Sequence, residues 1–150
     1  MRVNEDYPVW NAAAQILDDK SVHSFWKKAL AIRKQYDVLV RLLSLFIHHF
    51  ILFLKKIYGD FEDISEGHSQ VFAYTRTLGA SKILVVLNFK EKEVDFQLKT
   101  NELEEGRTKL ELILGNYEVK EEALIHLHGA ATLHLKAYEG RVYNHFVVDS

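Results

Sequence analysis

The side chains with the most chemical capacity in this sequence are its carboxylates and histidines, and both occur in groups. Acidic residues gather as Asp60-Glu62-Asp63, Glu102-Glu104-Glu105 and Glu118-Glu121-Glu122. A carboxylate pair performs acid/base catalysis when two groups face each other across a pocket, in environments that split their pKa values. Runs of sequence neighbours in or beside loops do not supply that arrangement, so a solvated surface is the expectation for all three. His126 and His128 share a strand face by the two-residue period, and His134 can sit across a hairpin from them. Three imidazoles suit zinc, but the strands are short and nothing in the sequence supplies a nearby acidic partner to orient the rings. His48-His49 is a weaker half-site, because adjacent residues point in different directions on a helix or a strand. No metal or cofactor is expected. The chain has no cysteine, which removes disulfides and thiolate metal sites. GxSxG, HExxH, P-loop and GxGxxG patterns are absent, and no serine stands in a triad context.

The elements that would carry these groups are organised around residues 71–89, VFAYTRTLGASKILVVLNF. The β-branched and aromatic residues from Val71 to Thr77 suit a pleated surface. Gly79, in Leu78-Gly79-Ala80-Ser81, is free to take positive φ and turn the chain. Residues 83–87 are apolar without alternation, the pattern of a strand covered on both faces. A hairpin in the middle of a sheet is predicted. Upstream, Val22, Phe25, Trp26, Ala29, Ile32 and Tyr36 recur at spacings of three and four, which predicts a helix over 18–37 with one apolar face. Asp18, Asp19 or Ser21 can cap it. Phe25 and Trp26 are expected to pack against something large. Asn11 to Gln15 can make a short helical turn. Beyond residue 58 the pattern is β. Phe61 alternates with polar neighbours, as do Val94, Phe96 and Leu98 with Asp95 and Gln97. Leu110, Leu112 and Leu114 alternate with Glu111 and Ile113, and short strands follow at 124–127, 132–135 and 139–148. Roughly six to eight short strands at spacings of about ten residues predict an antiparallel sandwich.

Between helix and strands lie residues 41–57, RLLSLFIHHFILFLKKI, apolar from Leu42 to Leu54 except at Ser44, His48 and His49. The segment has neither a helical nor a strand period, and it is shorter than the ~20 residues of a membrane-spanning helix. The fold class expected is α+β: an N-terminal helix, this apolar insert, then an antiparallel β-sandwich. A hydrophobic content of 48% is ample for a core, and a net charge of −2 argues against a nucleic-acid surface.

VFAYTRTLG, KILVVLNF, LILGNY and LKAYEGRVY occur in that order behind MRVNEDYPVWNAAAQ and SVHSFWKKALAIRKQYDVLV. Each is weak alone; in register they resemble the C-terminal part of an α-glucosidase of the α-amylase family of glycoside hydrolases. The maltase and oligo-1,6-glucosidase types are nearest, in wording most like fungal ones. The likeness covers nearly the whole chain except residues 41–57. It implies that residues 1–40 are the C-terminal end of a TIM-type catalytic barrel, with its last helix at about 19–37, and that 58–150 form the β-sandwich behind it. It implies that Phe25 and Trp26 pack on the barrel, and that Ile83, Val85 and Leu87 lose part of their cover without it. The implied parent hydrolyses terminal α-linked glucose from maltose- and isomaltose-type oligosaccharides with retention, using a carboxylate nucleophile and a separate acid/base. In the family those groups stand at the ends of earlier barrel strands, and none of their motifs occurs here. No catalytic or substrate-binding residue therefore carries over, and the chain alone is expected to be an inactive fragment.

Residues 41–57 depart from the family, in which a segment like Asp37-Val38-Leu39-Val40 runs directly into one like Tyr58-Gly59-Asp60-Phe61. Their composition suits translation of a pyrimidine-rich intron that was not removed; a real insertion is the other reading. The first residues hold no apolar leader, so a cytoplasmic protein is expected. The expected partner is the catalytic barrel, and an oligosaccharide only through it, with no nucleic acid and no membrane. Two rivals stand beside this reading. One is a stand-alone β-sandwich binding or interaction module without enzymatic activity. The other is a membrane-surface anchor through residues 42–54.

Overall fold

The computed structural model describes residues 4–39, 60–65, 67–98, 108–118, 124–127 and 131–147. The apolar segment 41–57 with its histidine pair lies outside them, as do Glu102, Glu104, Glu105, Glu121, Glu122 and His128.

Two helices open the chain. α1 (Ala12–Leu17) begins at Asn11, whose side chain accepts the Ala14 amide. α2 (Val22–Gln35) begins at Ser21, the one of the three candidate caps that is used. Its hydroxyl accepts the Ser24 amide at 3.1 Å, which satisfies an otherwise unpartnered donor of the first turn. The same hydroxyl donates to the Gln15 carbonyl, and the Ser24 hydroxyl donates to that of Asp18. These bonds set the corner between the helices. Arg33 and Lys34 in the last turn of α2 suit its dipole, and a 3₁₀ turn (Asp37–Leu39) follows.

The described residues then form β1 (Asp60–Asp63), β2 (Val71–Leu78), β3 (Ser81–Asn88), β4 (Val94–Leu98), β5 (Thr108–Gly115), β6 (Leu124–Leu127), β7 (Ala131–Leu135) and β8 (Gly140–Val147). Six of them make an antiparallel sheet in the order β1-β2-β3-β8-β5-β6, while β4 pairs with β7 in a second sheet. The β2–β3 hairpin closes with Leu78 opposite Ser81 and with Gly79 at φ 59°. β3 runs between β2 and β8, as expected of a strand without alternation. Its Leu84 and Val86 join Leu110 and Tyr143 of the larger sheet against Phe96, Leu98, Leu133 and Leu135 of the smaller. That shared core makes the two sheets a sandwich.

Four expectations need correction. Ile83 and Val85 are not left open: Val38 of the 3₁₀ turn covers them, with Tyr36 and Leu39 beside it, and they are 0% and 5% exposed. Leu87 is half-buried in the same cluster. The alternation of β5 breaks, because Leu112 pairs with Tyr143 and Leu114 with Val142, which makes Ile113 a bulge. Leu112 packs toward the inter-sheet core, whereas Ile113 packs with the cluster on the other face and Leu114 lines the space under α2. β1 is an edge strand with all four side chains exposed, and Phe61 rests on Tyr74 with ring centroids 5.2 Å apart. The single apolar stripe of α2 also divides in two, with Phe25, Ala29, Ile32 and Tyr36 half-buried and Val22, Trp26 and Leu30 exposed.

Candidate functional site

Of the three imidazoles, that of His128 lies outside the described residues, and the other two residues stand on different strands. His126 stands on β6 opposite Lys109, and His134 stands on β7 opposite Asp95. β6 and β7 belong to different sheets, so the expected hairpin pairing does not form. Among the described residues no group of three His, Asp or Glu is arranged to hold a metal. His134 nevertheless has the acidic neighbours that its local sequence did not offer. Its Nδ1 lies 2.6 Å from Asp95 Oδ1 and its Nε2 lies 3.6 Å from Glu93 Oε2. All three side chains are more than half exposed, so water screens the cluster.

Asp60, Glu62 and Asp63 lie along the exposed strand β1, where adjacent positions enclose no pocket. Glu62 accepts the Thr75 hydroxyl at 3.4 Å, and Asp63 accepts the Ser65 amide at 2.8 Å. Hydrogen bonds from the Ser65 side chain and amide hold the Asp63 carboxyl below its usual range. This is the chemistry of a turn, since a lowered carboxyl is a poor proton carrier near neutral pH. Glu118 pairs with Lys20 at 3.4 Å on the surface.

One charged pair escaped the sequence reading altogether. Glu139 and Arg141 are 1% and 3% exposed. They meet bidentately, Nε to Oε1 at 2.8 Å and Nη2 to Oε2 at 3.1 Å. Arg141 also donates to the His134 carbonyl of β7 and to the Tyr143 hydroxyl, while Glu139 accepts the Lys136 amide. Buried charges persist when paired and hydrogen-bonded, and here they join a strand of each sheet. Glu-Gly-Arg in a turn carries no local signal of burial.

The chief surface feature is apolar and lies on the helices. Val22, Trp26 and Leu30 follow one another by four residues along α2 and are 66%, 61% and 47% exposed. Trp10, Ile16 and Leu17, just ahead of α2, are exposed as well. Phe25, Ala29, Ile32 and Tyr36 are half-buried. Phe25 thus does not share the face of Trp26: it turns to the sheet and lines a cleft with Leu87, Leu114 and Val142. This row of large apolar side chains is the candidate contact surface of the described residues.

A family model described as maltogenic amylase, C-terminal domain, matches residues 61–142. An α-glucosidase of Schizosaccharomyces pombe is 34% identical over 118 residues, which are 79% of this chain and 17% of that protein. An oligo-1,6-glucosidase of Parageobacillus thermoglucosidasius is 32% identical over 141 residues, 94% of this chain and 21% of that one. The crystal structure of isomaltulose synthase from Klebsiella sp. LX3 superposes with a TM-score of 0.69 at 26% identity, covering 96% of this chain and 21% of the other. The chain therefore spans about a fifth of the length of these relatives. The matched residues run from β1 into β8, across both sheets of the sandwich, and the chain accordingly belongs to the maltogenic amylase C-terminal domain family, the β-sandwich of α-amylase family glycoside hydrolases such as α-glucosidases and oligo-1,6-glucosidases.

Proposed function

We propose that the chain is the non-catalytic C-terminal part of an α-glucosidase that releases terminal α-linked glucose from maltose- and isomaltose-type oligosaccharides. In this reading residues 1–40 are the end of the catalytic barrel and 58–150 the sandwich that buttresses it. The observation that carries the proposal is the open row Val22, Trp26 and Leu30 on the helix that precedes the sandwich. Each such side chain contributes ~1.5–3 kcal/mol when fully buried, so a barrel packed on α2 has a strong reason to stay there. Glucosidase, oligo-1,6-glucosidase and isomaltulose synthase share this domain under different reaction names, which supports locating substrate choice outside it. No helix among the described residues is long and apolar enough to cross a membrane. The absence of cysteine fits a reducing compartment, and cytoplasmic residence is part of the proposal.

Two measurements test it. The purified chain is expected to release no glucose from a chromogenic α-glucoside above a blank. Turnover that disappears when one residue of this chain is substituted would overturn the non-catalytic reading. The chain is also expected to co-purify with the S. pombe α-glucosidase barrel expressed without the whole C-terminal part that corresponds to this chain, its last barrel helix included. Trp26→Glu should abolish that association, and an association indifferent to Trp26→Glu would move the docking face elsewhere.

A further inference from the structure

We propose that His134, held between Asp95 and Glu93, is a proton-operated clasp that ties β4 to β7 more tightly in mildly acidic than in alkaline solution. Among the described strands β4 pairs with β7 only, in a register from Val94 opposite Leu135 to Leu98 opposite Ala131. Phe96, Leu98, Leu133 and Leu135 of this ladder turn inward to the core, while Asp95, Gln97, Thr132 and His134 turn outward. Asp95 opposite His134 is the ionisable pair of the ladder, and Glu93 stands just ahead of β4. The outer face of the smaller sheet lies on the side of the sandwich away from α2, so the clasp is independent of the docking proposed above.

The geometry selects the charged ring. Nδ1 is 2.6 Å from Asp95 Oδ1, and Nε2 is 3.6 Å from Glu93 Oε2. A neutral imidazole has one N–H and one lone pair. With the N–H given to Asp95, the lone pair on Nε2 faces the Glu93 carboxylate, acceptor against acceptor. The imidazolium donates from both nitrogens, so both carboxylates favour it. The other charged groups near this face are Lys136, two residues along β7, and the exposed Lys90, Glu91 and Lys92 of the loop before β4. Lys136 opposes the charge on His134, but its Nζ leans over the Tyr117 ring, 5.3 Å from the centroid. β7 is the fixed side of the clasp. The His134 carbonyl accepts Arg141 of the buried pair, and the Lys136 amide donates to Glu139. Proton loss from the ring therefore loosens β4. The contribution is full below about 6.5, the value of a histidine in an unfolded chain, and is lost as pH rises through the higher folded value.

The full chain and its Asp95→Asn, Glu93→Gln double variant are titrated from about pH 5 to 9 by NMR of the imidazole rings. The His134 signal is identified by its loss in His134→Gln. Its midpoint is expected to lie higher in the parent than in the double variant, with the single changes Asp95→Asn and Glu93→Gln in between. The backbone amides of β4 should shift with the same midpoint in the parent. Thermal melting at low protein concentration supplies the second readout. Between about pH 6 and 8.5 the melting temperature of the parent should fall by on the order of 1–3 °C more than that of His134→Gln, a small effect because the groups are exposed. His134→Lys, charged throughout that range, should show no such extra fall. All the substitutions are at exposed positions and leave the core side chains in place. Equal His134 midpoints in the parent and the double variant overturn the clasp. So does a parent whose melting temperature follows pH just as that of His134→Gln does.

Discussion

At Glu139 and Arg141 the molecule places opposite charges where water does not reach them. Removing one partner leaves the other buried and uncompensated, so Arg141→Met is expected to cost ~3–5 kcal/mol. The double substitution Glu139→Met, Arg141→Met is expected to cost less than the two single changes added together, because it leaves no orphaned charge. Urea unfolding of the four proteins checks both statements, and additivity would mean that the pair is not coupled. Asp63 carries a smaller prediction about pH. Its carboxyl is lowered from 3.8 in the folded chain, so its stabilisation is full above 3.8 and is lost as pH falls through the lowered folded value. Asp63→Asn should therefore flatten the acid limb of the melting temperature against pH. The group is fully exposed, and the effect is correspondingly small. Identical acid limbs in the two proteins would refute the assignment to Asp63.

The β2–β3 hairpin and α2 behave differently as elements, and substitutions separate them. Leu84 of β3 is fully buried in the inter-sheet core, so Leu84→Ala should cost ~2–5 kcal/mol. Leu30 lies on the open row of α2, so Leu30→Ala should stay within ~0.5 kcal/mol of the parent. Gly79 holds the turn at φ 59° with open space where a side chain would go, so the objection to other residues is conformational and not steric. Gly79→Ala should cost ~1–2 kcal/mol, the left-handed penalty of an L-residue. Chemical denaturation checks all three. A neutral Leu84→Ala would mean that the two sheets do not pack in solution.

For the whole molecule, the open face of the helices governs behaviour in solution. An open row of large apolar side chains along one helix predicts poor solubility and binding of a hydrophobic dye. Trp26→Glu should reduce dye binding and leave the unfolding midpoint unchanged, since nothing is buried there in the isolated chain. A clean monomer that binds no dye would count against an unpartnered face. Residues 41–57 pose the other question at this scale. If they are foreign to the fold, a short connection from Leu39 toward Asp60 is what compact domains use. If they are native, their apolar side chains cover something, at ~1.5–3 kcal/mol for each buried Leu or Phe. We expect soluble yield and unfolding midpoint both to rise when 41–57 is deleted. A deletion variant that fails to fold while the full chain folds would make the segment part of the core.

The sequence by itself determined the elements whose causes are local. The β2–β3 hairpin follows from β-branched runs on either side of a glycine, α2 from spacings of three and four behind a serine cap, and the membership in a glycoside hydrolase family from motifs in register. Tertiary structure decided everything that depends on which distant residue arrives. Val38 covers Ile83 and Val85, although nothing near either segment announces the other. Asp95 reaches His134 only because β4 and β7 pair in that register, and Arg141 is buried only because the His134 carbonyl and Glu139 receive it. The two faces of α2 have similar composition, and only the position of the sheet separates covered Phe25 from open Trp26. The physical reason is common to all of these. Periodicity and turn chemistry are written in neighbouring residues, whereas burial is a property of a site in space, shared by residues that meet only after the chain has folded.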